Sequence, residues 1–449
     1  MTATETQAPA ALAPYLADFE RYNRERLDAG VEPAFVQALR RAGLERFAAL
    51  GFPTTKQEEW RLTNVGPIAQ GTFHRSQGDP NGIVPEQIAP YDFPAAARLV
   101  FVDGRYSSRL SSSTGLPSGV VVTSLAAALA ASPELVEPWL GQLASFEQQP
   151  FVALNTAFLG DGAFIHVPRG ATSGLIHVLF LSSSEDGRAT VSYPRNLFVA
   201  GENSQLTVVE TYAGTGAYFN CPVTELVAGR NSVVDHYKVQ RESREAFHMA
   251  TFQVQGERDS VPRSHSISLG GGLVRNDVNA VLAGEGIDCT LNGLYLVDGR
   301  QHVDNHMRVE HAKPHCSSHE LYKGVLDGKG RAVFNGLIHV HPGAQKTDAK
   351  QSNRNLLISR EAVANSNPQL EIYADDVKCT HGSTVGQLDE DAVFYLRSRG
   401  IGEEAARSLL TWAFASDIVE RIKVEPVRKD LEEFLFARLP KGEIVRQAV

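Results

Sequence analysis

With 449 residues the chain is long enough for two or three ordinary domains, or for one elongated repeat body with smaller ends. Its formal net charge of -9, from 43 Lys and Arg against 52 Asp and Glu, leaves no basic footprint for a phosphate backbone, which excludes nucleic acid as a partner. No run approaches the roughly 20 apolar residues of a membrane span, the first thirty residues lack both a basic start and an apolar core, and Cys221, Cys289, Cys316 and Cys379 show no CxxC spacing. The expectation is a cytoplasmic protein with no membrane partner and no structural disulfide.

In chain order, residues 1–65 read as an N-terminal helical region. Pro33 suits a first helical position, Phe35, Leu39 and Ala42 recur at i, i+4 and i+7, and Gly51 with Pro53 ends the pattern. From Gly66 to Pro94 the density of Pro67, Gly78, Pro80, Gly82, Pro85 and Pro90 predicts a loop or linker rather than a packed element. The run Leu99-Val100-Phe101-Val102, then Asp103-Gly104, then Arg105-Tyr106, predicts a β-hairpin, so residues 66–160 form a linker and hairpin segment leading into the core.

From about Phe164 helical periodicity disappears for over two hundred residues, replaced by short apolar runs broken by Gly, Asn and Asp. A sandwich, a barrel, a propeller or a solenoid fits many short strands, so an internal repeat decides between them. Val281-Leu282-Ala283-Gly284 returns as Val325-Leu326-Asp327-Gly328, Asn292-Gly293-Leu294 as Asn335-Gly336-Leu337, and Gln301 with Asp304 as Gln345 with Asp348, at offsets of 43 or 44. That spacing fits two stacked coils of a β-helix at roughly 20 to 25 residues each, with the Asn-Gly pairs at corners, and β-propeller blades of about 40 to 45 residues are the rival. The reading is a mainly β chain whose residues 161–390 form a parallel β-helix, a solenoid with helical regions at both ends.

Helical pattern returns in residues 391–449. Gly402 precedes the acidic Glu403 and Glu404, and Ala406, Leu409, Leu410, Ala413 and Phe414 form an apolar stripe. Pro426 breaks it, and Val427, Leu431, Phe434 and Leu435 form a second stripe before Pro440. These helices either cap the solenoid end or dock a partner.

Seven of the fourteen histidines, His302, His306, His311, His315, His319, His339 and His341, crowd one segment around Cys316, which raises a metal hypothesis. Only residues two apart share a strand face, so His339 and His341 pair readily while most of the others do not, and a structural role is the favoured reading. No G-x-x-x-x-G-K-[ST] motif is present, so the chain does not itself hydrolyse ATP; Gly270-Gly271-Gly272 reads as a turn; and no G-x-S-x-G elbow or facing carboxylate pair completes a catalytic constellation. Cys379-Thr380-His381 puts a thiol and an imidazole on one strand face, but two ligands are too few for an iron-sulfur cluster. On chemistry alone a buried cysteine beside a turn-satisfied histidine is favoured there.

The string Leu370-Glu371-Ile372-Tyr373-Ala374-Asp375-Asp376-Val377-Lys378-Cys379-Thr380-His381-Gly382, continued by Phe394-Tyr395-Leu396-Arg397-Ser398-Arg399-Gly400-Ile401, closely resembles the SufD family of the Suf iron-sulfur cluster assembly system. Gly330-Arg331-Ala332-Val333-Phe334-Asn335-Gly336-Leu337-Ile338, Lys346-Thr347-Asp348, and Gly51-Phe52-Pro53-Thr54 leading into Glu59-Trp60 extend the likeness from about Gly51 to Ile422. The resemblance implies a right-handed parallel β-helix and a non-catalytic scaffold that pairs with a SufB paralogue. It also implies a C-terminal helical region that binds the SufC ATPase. By the same resemblance His381, with Cys379 beside it, contributes a transient cluster or iron ligand at the partner interface, the isolated chain holding no stable cofactor. A homodimer is expected where SufB is absent, because a solenoid end exposes strand edges. The alternative is a metal-dependent β-helix enzyme using the segment from His302 to His341.

Overall fold

The β-rich half of the chain winds into two facing sheets whose strands alternate along the sequence. The computed structural model describes residues 9–29 and 32–448, so residues 1–8, on which the reading of the chain start partly rests, lie outside it. Asp288–Val297, Ser317–Leu326, Asp348–Leu357 and Lys378–Gly386 follow one another in the first sheet, while Leu273–Leu282, His302–His311, Arg331–Val340 and Val363–Ile372 follow one another in the second. All these neighbours pair in parallel, giving a β-solenoid of about 8 turns. Alternation fixes the faces: Val274, Val278, Ala280 and Leu282 point into the lumen and are buried, while Asp277 and Asn279 point out and are half-buried. Each coil therefore covers the apolar lining of the one before it.

The coil is longer than the sequence repeat suggested. Leu273 pairs with His302 and His302 with Arg331, so one turn takes 29 residues rather than 20 to 25. Val281-Leu282 ends a strand of the second sheet, whereas Val325-Leu326 ends a strand of the first. The offset near 44 thus spans one and a half coils, and the repeated unit is a strand with its turn, used equivalently in both sheets.

The Asn-Gly pairs are not at corners either. Asn292-Gly293 and Asn335-Gly336 lie inside strands, and their glycines face the lumen. A Cβ on Gly293 would fall 2.3 Å from Cε1 of Tyr322, and one on Gly324 would fall 2.1 Å from Cε2 of Tyr295. Gly293 is in register with Tyr322, and Tyr295 with Gly324, so each ring lies over the bare backbone of the adjacent coil. Glycine supplies room here, not a turn. Gly324→Ala is expected to cost about 1–3 kcal/mol by overpacking, read as a lower midpoint in urea denaturation, since Tyr295 is held by its hydroxyl's hydrogen bond to Asn355 Oδ1 at 2.6 Å.

The hairpin forms as read: Ala97–Val102 and Arg105–Tyr106 pair across Asp103 and Gly104, both at positive φ (48° and 80°). Its first strand also pairs in parallel with Thr172–Ser183, so the hairpin opens the first sheet. Ile68 and Ile88, inside the Pro- and Gly-rich stretch, are buried, so that stretch is laid against the body instead of bridging open space.

Two long helices, Pro9–Ala29 and Ala34–Leu50, precede it. The first places Tyr15, Phe19 and Tyr22 on one buried face, a pattern the sequence reading passed over. In the second, Pro33 is the N-cap and not the first helical residue, and the buried face is Val36, Arg40, Gly43 and Phe47, with Phe35 and Leu39 flanking it. Gly43 allows the backbone of Pro150–Ala157 to approach, a Cβ there meeting Ala157 N at 2.7 Å.

The C-terminal helices Glu403–Val419 and Glu425–Arg438 do not cap the solenoid end. They lie along the outer face of the first sheet, where Ala415, Ile418, Val419, Val427, Leu431 and Leu435 pack on Tyr237, Val239, Ile267, Leu294, Leu296 and Val325. Lys323 fixes this docking with a 2.7 Å ion pair to Asp417. Of the first predicted stripe only Ala406 is fully buried, Leu409, Leu410 and Phe414 are half-buried, and Ala413 is exposed. Pro426 falls in the first turn of the next helix, so it starts that helix as well as closing the previous one.

Candidate functional site

The solenoid ends bare. Val363–Ile372 closes the second sheet and Lys378–Gly386 the first, each with a neighbour on one side only. Tyr373 is 59% exposed and Val385 47%, and almost all of the last strand faces solvent. Two parallel edges offer free backbone donors and acceptors, interrupted only by Pro368 in Val363–Ile372, and are a template for further strands.

Cys379 and His381 sit on that last strand. In register, Cys379 lies over Ala349 and His381 over Gln351, and both lower residues are buried and lumen-facing. Thiol and imidazole thus share the inner face at the open mouth. Cys379 is half-buried against Ile338, Val340, Ala344 and Ala349, and burial pushes its thiol pKa above the ordinary value, which disfavours the thiolate. His381 is exposed. The sequence reading placed these two correctly on one face.

The crowded histidines are dispersed. His302, His306, His339 and His341 lie on the outer side of the second sheet, His311 lies inside the lumen, and His315 and His319 are exposed. Each buried or half-buried one has an ordinary partner: His302 touches Thr63 Oγ1 at 2.9 Å, His306 pairs with Asp304 at 3.1 Å, and His339 with Glu371 at 2.8 Å. His339 and His341 do stack edge to face, at 4.5 Å between centroids. Among the described residues no group of three or more His, Cys, Asp or Glu is placed to hold a metal ion. The segment's density comes from paired strands of adjacent coils sharing one outer surface, and among the described residues no geometry supports the enzyme alternative.

Sequence reasoning missed the polar lumen. Midway along the solenoid Glu210, Thr224, His236 and Lys238 face inward around a cavity of about 20 Å³, enough for one water. Glu210 accepts from Tyr212 at 2.7 Å and touches His236 at 3.2 Å, and Lys238 donates to Asn276 at 2.7 Å. Burial pulls the Lys238 ammonium down to about 8. The available signal was polar residues at i and i+2 inside otherwise apolar strands, such as Glu210 with Tyr212 and His236 with Lys238.

A second polar string leads to the open end. His311 Nε2 contacts Ser318 Oγ at 3.0 Å, Ser318 Oγ donates to Glu320 Oε1 at 3.3 Å, and Gln351 Nε2 donates to Glu320 Oε2 at 2.5 Å. No cation answers the carboxyl, and burial pushes Glu320 up from 4.5 to about 7. The folded state therefore keeps this proton longer than the unfolded chain does. Its stabilising contribution is complete below about pH 4.5 and is lost as pH rises through about 7. Relative to Glu320→Gln, the native chain should lose up to about 3 kcal/mol over that window. Paired unfolding titrations of the two proteins check this, and parallel curves would refute it.

No helix among the described residues is long and apolar enough to cross a membrane. The family profile described as SUF system FeS cluster assembly, SufBD core domain, matches residues 180–414, and the SufBD protein N-terminal region matches residues 13–174. The chain is 32% identical over 437 residues to an iron-sulfur cluster assembly SufBD family protein of Synechocystis, covering 94% of this chain and 95% of that one. It is 33% identical over 411 residues to the iron-sulfur cluster assembly protein SufD of Escherichia coli, covering 89% and 92%. To the SufD of Bacillus subtilis it is 27% identical over 421 residues, covering 89% and 93%.

Proposed function

Because the chain belongs to the SufBD family of iron-sulfur cluster assembly proteins, we propose that it is a non-catalytic scaffold subunit of a cytoplasmic Suf complex. The observation that carries this reading is the bare end of the solenoid, where two soft donors stand on the inner face of an unpaired strand. Two donors fall short of the four an iron-sulfur cluster usually takes, so a second chain must supply the rest. A SufB paralogue docked edge to edge would do this, continuing both sheets and closing its own ligands over Cys379 and His381. The cluster is then cargo assembled on the complex.

The chain has no phosphate-binding loop, so ATP-driven rearrangement falls to another subunit, a SufC ATPase. The C-terminal helices offer its docking surface. Phe394, 72% exposed, and Tyr395, 57% exposed, lie on Glu390–Ser398, close in sequence to the half-buried Leu409 and Leu410. Where SufB is absent, the same strand edges favour a homodimer.

Co-expression with SufB and SufC homologues, followed by affinity capture through this chain, tests the assembly. Both partners are expected in fixed proportion. Their absence from the captured material would overturn the scaffold reading in this form.

A further inference from the structure

Below His381 in the lumen lies a side chain with one hydrogen-bonding atom used and one unused. Gln351 is buried, and its Nε2 donates to Glu320 Oε2 at 2.5 Å. Glu320 already accepts from Ser318 on its other oxygen, so the ionised carboxylate holds the Gln351 amide with nitrogen downward and Oε1 away from it. That Oε1 is buried and has no hydrogen-bond partner. An orphaned buried acceptor is rare and costly, and it asks for a donor.

The neighbours do not provide one. Asn353, the next lumen residue on the same strand, spends Nδ2 on Tyr295 Oη and the Tyr322 carbonyl. Across the lumen Gly336 has no side chain, and a Cβ there would fall 2.5 to 2.6 Å from the Gln351 amide atoms. The amide is confined in that gap. The coil beyond places His381 in direct register with Gln351 on the same face, one strand spacing of about 4.8 Å away.

We propose that Gln351 is a positioning residue for His381: its Oε1 accepts one imidazole N–H, which fixes the tautomer and turns the other ring nitrogen, with its lone pair, out of the open mouth toward iron. Ligating histidines characteristically donate their second N–H to such an acceptor, which orients the ring and raises its basicity. The proposal rests on His381 being a ligand. Its geometry, however, belongs to this chain alone and can be read without any cluster.

The full chain labelled with 15N-histidine, in mildly alkaline buffer, provides the test, with His381 assigned by its loss in His381→Ala. In the unsubstituted chain its two ring nitrogens should report a single tautomer. Gln351→Met keeps the shape and removes the acceptor, so the two resonances should collapse toward their mean. The pair Glu320→Leu with Gln351→Met, which leaves no buried carboxyl without a partner, should do the same and guards against a folding defect in the single variant. On the assembled complex Gln351→Met should lower iron affinity about tenfold. A tautomer unmoved in both variants overturns the proposal whatever the cluster yield. A tautomer that moves while His381→Ala leaves cluster yield unchanged overturns the ligand reading beneath it.

Discussion

His381→Ala is expected to leave the chain folded and its complex assembled, and to lower cluster formation on that complex by about tenfold or more. The magnitude follows from coordination: outer-shell substitutions at metal sites already cost about 10- to 100-fold in affinity, and removing a ligand should cost no less. The fold should be indifferent, because the imidazole is exposed on the last strand of the sheet and its loss uncovers little apolar surface. Iron and sulfide content with visible absorbance reads the cluster, and a thermal melt reads the fold. Cys379→Ser should do less, since that thiol is half-buried among Ile338, Val340, Ala344 and Ala349 and is held toward its protonated form. Unchanged cluster yield in His381→Ala would end the interface half-site idea, whatever Cys379→Ser does.

Part of this architecture could be read before any coordinates. Asp103-Gly104 marked its hairpin because only a few residue types tolerate two consecutive positive φ angles, and Cys379 and His381 were placed together because strand alternation is strictly two-fold. The coil length was misjudged for a physical reason. Words such as Val281-Leu282 and Val325-Leu326 recur because strands in both sheets solve the same packing problem, so the shortest visible period need not be a whole turn. Gly293 and Gly336 were assigned to corners on a turn signal, whereas Gly293 faces Tyr322 of the adjacent coil and Gly336 faces Gln351 across the lumen, pairings visible only once the strands are stacked. The position of the C-terminal helices was equally hidden. Their apolar stripes identify a buried face, but no pattern in the strands marks Leu294, Leu296 and Val325 as the residues that receive it. The orphaned Gln351 Oε1 has no counterpart in composition or pattern at all.

The largest stability effect is expected far from the open end. Arg195 and Glu225, diagonal neighbours on adjacent strands at the outer face of the second sheet, are both fully buried, with Arg195 Nη2 and Nε donating to Glu225 Oε2 at 2.7 and 3.1 Å. Glu225 also accepts the backbone N–H groups of Gly141, Leu143 and Ala144, each at 2.9 Å, so one carboxylate ties the covering segment to the sheet. Arg195 completes its own set with Asn155 Oδ1 and Thr156 Oγ1, both at 3.2 Å. Glu225→Ala strands a guanidinium among neutral acceptors and frees three amides, at an expected cost of about 3–5 kcal/mol. The pair Arg195→Met with Glu225→Leu should cost less than Glu225→Ala alone, because no buried charge is then left unanswered. Denaturant melts measure the loss, and hydrogen exchange at residues 141–144 locates it. A cost under about 1 kcal/mol with unchanged exchange would show that the carboxylate does not hold this segment. Folded Glu225→Ala should still build clusters when complexed, whereas His381→Ala should stay folded and fail to, and that opposite pair of outcomes would separate what holds the solenoid together from what its open end does.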